Sequence, residues 1–130
     1  MPSRHLDWMR QAVRDLAHAH HALQAGDHEW ACFAAQQAAE KAVKSVLMAR
    51  GAEAWGHSVL FLLRALREGE GPSEELVDRA RELDKLYVPA RYPNGFDTGA
   101  PMDYFTPADA SRSIGCAQEI IDYCQGRLRQ

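Results

Sequence analysis

Between Pro89 and Thr106 an otherwise helical pattern stops, and this break decides which parts of the chain can pack as helices. Pro89, Pro93 and Pro101 fall within it, with Gly95 and Gly99 between them. A proline in a helix interior removes a backbone donor, and its ring meets the preceding turn, so no long helix crosses the segment. The same stretch carries Arg91, Tyr92, Asn94, Asp97, Asp103 and Tyr104, together with Phe96 and Phe105. Long loops inside compact domains are usually functional or disordered, and aromatic content argues against disorder. Function is therefore to be sought here first.

On either side of the break, apolar residues recur at helical spacing and no stretch alternates as a strand does. A first helix is expected over about residues 4–24, with Met9, Val13, Leu16, His20 and Leu23 along it. Gly26 is the expected stop and Asp27 the expected N-cap of the next helix. That second helix covers about residues 28–50, built on Trp30, Phe33, Ala34, Gln37, Lys41, Val43, Val46 and Leu47. Its middle, QQAAEKAVK, combines strong helix formers with small residues that let a neighbouring helix approach closely. A short, well-buried third helix opens near His57 or Ser58 with Val59, Leu60, Leu62, Leu63 and Leu66. The segment EGEGPS (68–73) turns the chain, and Ser73 caps a fourth helix carrying Leu76, Val77, Ala80, Leu83 and Tyr87. Thr106, Pro107 and Asp109 start the last helix, whose apolar face is Ile114, Ala117, Ile120, Ile121, Cys124 and Leu128. The expected fold is all-α, one domain over residues 1–130, an antiparallel bundle of five helices.

Composition narrows the function classes. A chain of 130 residues holds one modest core, and 46% hydrophobic with 25% charged residues is ordinary for a globular protein. No apolar run reaches the roughly 20 residues of a membrane helix, and MPSRHLDWMRQ has no apolar leader core, so no secretory signal is expected. Cys32, Cys116 and Cys124 show no CxxC spacing and lie on predicted apolar faces, which fits a reducing cytoplasm and buried thiols. A net charge of −3 argues against general nucleic-acid affinity, so an RNA or nucleotide site has to be a local pocket. The best local basic set is Arg79, Arg81, Lys85 and Arg91, offset by Glu82 and Asp84.

Each candidate residue has a plain reading beside its functional one. Arg91 either binds a phosphate or pairs with Asp84 or Asp97 to pin the loop. Tyr87, Tyr92 and Tyr104 either stack on a base or anchor the loop by burying their rings. Gln37, Glu40, Lys41 and Lys44 read as a solvated face, with Glu40 and Lys44 as an i,i+4 pair, or as a groove wall or dimer contact. His57 either caps the third helix, bonds a backbone carbonyl or touches a substrate. His18, His20, His21 and His28 invite a metal, but no carboxylate–histidine motif accompanies them, and an exposed polar face is the expectation. No metal and no cofactor is expected.

Several segments together resemble the HEPN domain family (higher eukaryotes and prokaryotes nucleotide-binding). They are Ala31-Cys32-Phe33 running into Gln36 to Lys44, Gly56-His57-Ser58-Val59, Leu83-Asp84-Lys85-Leu86-Tyr87, Ala90-Arg91-Tyr92-Pro93 and Ala108-Asp109-Ala110. The resemblance implies four long helices plus a short one, assembled as a homodimer or higher homo-oligomer. It implies a minimal nucleotidyltransferase as partner in a toxin–antitoxin-like pair, and for many members a metal-independent RNase. Such RNases use an arginine followed a few residues later by a histidine. That chemistry needs a base, an acid and a cation for the phosphorane charge.

Here the pattern departs. Arg91 matches the arginine, but positions 96–98 hold Phe96, Asp97 and Thr98. Asp97 has the spacing but is anionic near neutral pH. Arg50 and His57 have the spacing too, at the turn between helices two and three. Three functions stand open. The first is a binding module contacting nucleotide or RNA through Arg91, Tyr92, Asn94, Tyr87, Asp84 and Lys85, with Tyr104 a candidate acceptor of a nucleotidyl group. The second is an RNase with catalytic candidates Arg91, His57 and Asp97. The third is an assembly protein whose loop builds an oligomer and binds no ligand.

Overall fold

In the computed structural model, residues 3–66 and 71–129 are described, and every regular element among them is helical. The elements are α1 (His5–Ala25), α2 (His28–Ala49), α3 (Val59–Arg64), α4 (Glu74–Asp84), α5 (Pro101–Tyr104) and α6 (Pro107–Leu128). The expected all-α bundle is present, with one more short helix, α5, inside the proline-rich segment. Within the EGEGPS turn, residues 68–70 lie outside the described residues.

Local signals place the ends. Gly26 closes α1 at a φ of 84°, a left-handed conformation that glycine adopts without a Cβ penalty. Ser58 and Ser73 accept the Phe61 and Leu76 amides and so cap α3 and α4. Thr106 and Asp109 form a reciprocal capping box at α6, with Pro107 at the first helical position. Asp27 occupies the N-cap of α2, but its side chain makes no capping bond. Helix α4 stops at Asp84, earlier than Tyr87, because the chain then passes into successive tight turns ahead of Pro89.

Helix α2 is central and packs against α1, α6, α3, α4 and α5. Its burial from Ala31 through Leu47 runs nearly all round, interrupted only at Phe33, Gln37 and Lys41. Alanines do much of this packing: Ala12 and Ala19 of α1 and Ala35, Ala38, Ala39 and Ala42 of α2 are fully buried in one cluster with leucines, valines and isoleucines of α3, α4 and α6. Side chains this small let helix backbones approach closely, and any enlargement there would force the helices apart. The buried stripe of α1 is Met9, Ala12, Leu16, Ala19 and Ala22. Val13 and His20 of the expected face are exposed, because the alanines rather than the longer side chains set the contact.

A smaller cluster of Ala22, Ala31, Cys32, Ala90 and Ala110, flanked by Leu23, Phe33, Leu86 and Phe105, ties the start of the proline-rich segment to α1, α2 and α6. Beyond it the segment is held by its own rings. Phe96 and Tyr104 stack at 4.2 Å and 4°, and the Tyr104 hydroxyl donates to the Thr98 carbonyl. Gly99, at a φ of 82°, lets Asp103 and Tyr104 lie within 3.2 Å of where a Cβ would stand.

All three cysteines are free and buried, as expected. The Cys116 thiol donates to Glu82 at 3.1 Å, and Arg112 grips the same carboxylate at 2.9 Å. Those two donors hold Glu82 below the usual carboxylate range. Burial, then the Glu82 contact, pushes the Cys116 thiol up to about 12. Burial alone takes Cys124 to about 12.

Candidate functional site

The turns after α4 decide where Arg91 goes. The Ala90 amide bonds Leu86 O and the Arg91 amide bonds Val88 O, which seats Ala90 in the smaller core cluster. With Ala90 locked inward, the Arg91 side chain lies across Phe33 of α2. Its Nε donates to the Tyr87 carbonyl at 2.8 Å. The guanidinium carbon sits 4.5 Å from the Phe33 ring centroid, 4.4 Å from Tyr87 and 5.0 Å from Tyr92. Such contacts are worth about 0.5–1 kcal/mol each at partly exposed sites. Among the described residues no carboxylate lies within ion-pair distance of Arg91, so neither Asp84 nor Asp97 pins it. Its terminal nitrogens make no hydrogen bond to described residues and can donate outward as a fork.

His57 meets the same tyrosine. It lies in the bend of the connection between α2 and α3, and its ring stacks on Tyr87 at 5.2 Å and 19°. Its Nδ1 faces the Glu40 carboxylate, 3.2 Å from Oε2, while 62% of the side chain remains exposed. His57 therefore does not cap α3: Ser58 does, and the His57 carbonyl is an acceptor for Gln36 at 2.9 Å.

Behind His57 lies a polar seam that the sequence misrepresents as a solvated face. Gln36 is fully buried, and Glu40 and Lys44 are 4% and 8% exposed. Glu40 accepts from Lys44 Nζ at 3.1 Å and from Gln37 Nε2 at 3.3 Å. Gln37 also bonds Gln36 at 2.8 Å. The seam is buried because α2 is enclosed on nearly every side, and each polar group compensates by finding a partner. Lys41, on the neighbouring turn, pairs with Asp15 of α1 instead.

Asp84 is committed elsewhere. It accepts from Ser58 Oγ at 3.0 Å and from the Val59 and Leu60 amides at 2.9 Å each, closing the start of α3 onto the end of α4. Arg79 pairs with Glu119 and Arg81 with Asp78, so the expected basic set is largely neutralised and Arg91 stands apart from it. Lys85 is exposed and lines a small groove with Glu82, Leu86 and Arg112. Asn94 lies exposed in a 3-10 turn over Pro93–Gly95, and Asp97 is exposed further along the loop. Arg50 bonds the Arg127 carbonyl at the end of α6. His18, His20 and His21 are exposed on α1, and among the described residues no group of three His, Cys, Asp or Glu gathers as a metal site.

The structure thus brings Arg91, Tyr87, Tyr92 and His57 together and adds Phe33 and Glu40. Phe33 reads as core in the sequence, and Glu40 as half of a surface pair. The signal that could have found Glu40 is the run of alanines around it, which leaves a helix no polar face to solvate.

A model of the HEPN domain matches residues 5–127. The structure is similar to a crystal structure of a protein from Thermus thermophilus, at 44% identity and a TM-score of 0.94, covering 97% of this chain and 99% of that one. An archaeal HEPN homologue is 43% identical with a TM-score of 0.81, over 97% of this chain and 98% of that one. A HEPN domain protein from Thermotoga maritima is 40% identical with a TM-score of 0.77, over 95% of this chain and 98% of that one. None of the curated proteins compared matches the chain.

Proposed function

Given that the chain belongs to the HEPN domain family, we propose that it is a HEPN-type homodimeric binding module that takes nucleotide or RNA at the Arg91 loop and pairs with a minimal nucleotidyltransferase. One observation carries the ligand part. Arg91 is held by the Tyr87 carbonyl and three rings and has no carboxylate partner among the described residues, which leaves its terminal nitrogens for a phosphate while Tyr92, half-exposed, offers a ring to a base. Three free, buried cysteines suit a reducing compartment such as the cytoplasm. Tyr104 remains the candidate acceptor of a nucleotidyl group; release of its hydroxyl from Thr98 would have to come first. Labelled triuridylate binding is the test. Wild-type protein should bind it, and Arg91→Ala should weaken binding by about tenfold or more, the scale of losing a charged hydrogen bond. Failure of wild type to bind triuridylate and AMP overturns the ligand reading. Recovery of no nucleotidyltransferase with the tagged protein from its native host overturns the partner reading.

A second reading, a metal-independent RNase, draws support from His57. Glu40 engages the imidazole through Nδ1, the side chain stays 62% exposed, and the ring it stacks on is the one that also carries Arg91. An imidazole so placed can take the 2′-hydroxyl proton or protonate the leaving oxygen, with Arg91 offsetting the phosphorane charge. Cleavage of single-stranded RNA in EDTA that disappears in both His57→Ala and Arg91→Ala supports it. Cleavage that persists in either variant, or is absent from wild type, overturns it.

A further inference from the structure

The whole chain is acidic, yet its cations are not spread evenly. Arg79, Arg81 and Arg112 are each matched to a carboxylate. The opposite situation holds along the first half of α1. A concavity of about 700 Å³ there is lined by Arg4, Arg10, Arg14 and Lys41, with Trp8 and Gln11 in its wall and Asp7 as the one acidic residue among the described lining residues. Asp7 is shared, 3.3 Å from Arg4 and 3.6 Å from Arg10, whose side chains are 79% and 83% exposed. Lys41 is matched by Asp15. Arg14 has no hydrogen bond or ion pair to any described residue. Four cations against two carboxylates leave a local positive excess on a chain of net charge −3.

This concavity is not isolated from the site above. Lys44 Nζ lies 5.6 Å from the Trp8 ring centroid and 3.1 Å from Glu40, and Glu40 in turn meets His57. A chain of contacts therefore links the wall of the hollow, through Trp8 and the buried Lys44 and Glu40, to His57, Tyr87 and Arg91, which holds hollow and loop in one frame. Guanidiniums suit phosphate oxygens in forked pairs, and aromatic rings interleaved with cations are what a single strand uses for stacking.

We infer that the α1 hollow is a second contact for the same ligand, carrying the backbone of a single-stranded nucleic acid away from the Arg91 loop. This rests on the proposed ligand class, and it makes that ligand a strand several nucleotides long rather than a mononucleotide. Arg4, Arg10 and Arg14 act on phosphates without reading bases, so affinity should grow with strand length and be indifferent to sequence.

The test compares labelled triuridylate with labelled dodecauridylate by fluorescence anisotropy across a salt series. For wild-type protein the dodecamer should bind more tightly, with a log–log salt slope steeper by about 2, the value for three additional phosphate contacts on a single strand. Arg4→Glu/Arg14→Glu, both at exposed positions, should lower dodecamer affinity about tenfold or more and leave triuridylate unchanged. Equal salt slopes for the two lengths in wild type would overturn the inference without needing any variant. Equal loss on both lengths in the double variant would overturn it too, by placing the short ligand in the hollow. If triuridylate does not bind while dodecauridylate does and is lost in the double variant, the Arg91 reading fails and the hollow stands. Displacement of the dodecamer by poly-glutamate as readily as by unlabelled RNA would reassign the hollow to an acidic protein segment and overturn the nucleic-acid assignment.

Discussion

Tyr87 holds Arg91 twice, through its carbonyl at 2.8 Å from Nε and through its ring at 4.4 Å from the guanidinium carbon. The backbone contact fixes the direction of the side chain, and the ring contact holds the guanidinium over Tyr87. An arginine held this way is positioned without being neutralised. A staple would spend its charge on a carboxylate, and among the described residues Arg91 meets none.

Arg91→Ala should consequently affect ligand more than fold. Loss of stacking and one hydrogen bond is expected to cost about 1–2 kcal/mol of stability. Arg91→Lys keeps the charge but loses the planar fork, so it should melt near wild type and still bind triuridylate weakly. Paired thermal melts and anisotropy titrations check this. A lysine variant with full affinity would show that charge alone matters.

Glu40 is the costliest residue to remove from the seam. Glu40→Ala leaves the Lys44 ammonium, whose side chain is 10% exposed, without its partner, and a loss of about 3–5 kcal/mol is expected in urea unfolding. Replacing both, as Glu40→Leu/Lys44→Met, should recover most of that loss, because no buried charge is then left unmatched. It should not restore the His57 geometry, which depends on the carboxylate.

Asp84→Ala should open the contact between the end of α4 and the start of α3. Three hydrogen bonds from Ser58, Val59 and Leu60 lose their acceptor, and about 2 kcal/mol or more is expected from uncapping a helix start of this kind. Asp84→Asn, which keeps one acceptor oxygen, should cost less. Hydrogen exchange at the Val59 and Leu60 amides is the direct measurement, and unchanged protection in the alanine variant would contradict the assignment.

The thiol of Cys116 and the carboxylate of Glu82 give the protein stability losses at both ends of the pH scale. Their shared hydrogen bond favours a protonated thiol and an ionised carboxylate. With its folded pKa raised from 9.0 to about 12, Cys116 contributes stability that is full below pH 9 and is lost as pH rises toward 12. Burial gives Cys124 the same sign. Glu82, held below its ordinary value of 4.5, contributes stability that is present above that pH and is lost as pH falls through the lower folded value. Denaturation midpoints should therefore fall above pH 9, less steeply in Cys116→Ala. Both thiols should resist alkylation at pH 8 in the native protein and react after unfolding.

Much of the architecture is legible in the chain. Ser58, Ser73, Thr106, Pro107 and Gly26 act within a few residues of their own positions, so their roles follow from local chemistry. The proline-rich segment likewise ends helices wherever it is placed, although the Phe96–Tyr104 stack that orders it needs two residues to meet across a turn. The positions of Val13 and His20, and the extent of α4, were set instead by alanine contacts and tight turns that periodicity alone does not weigh.

The candidate site divides along the same line. The order of residues is enough to read off a helical bundle, a broken segment that carries Arg91, the family, and the lack of a motif histidine at positions 96–98. Tertiary packing alone brings His57, far from Arg91 along the chain, onto the same tyrosine, turns Glu40 from a surface charge into the carboxylate behind it, and places Asp84 as a cap on the start of α3. The reason is physical. Whether a polar residue on α2 faces water or a neighbour depends on how many helices enclose α2, and that number is fixed by packing between distant segments, not by the residues flanking Glu40.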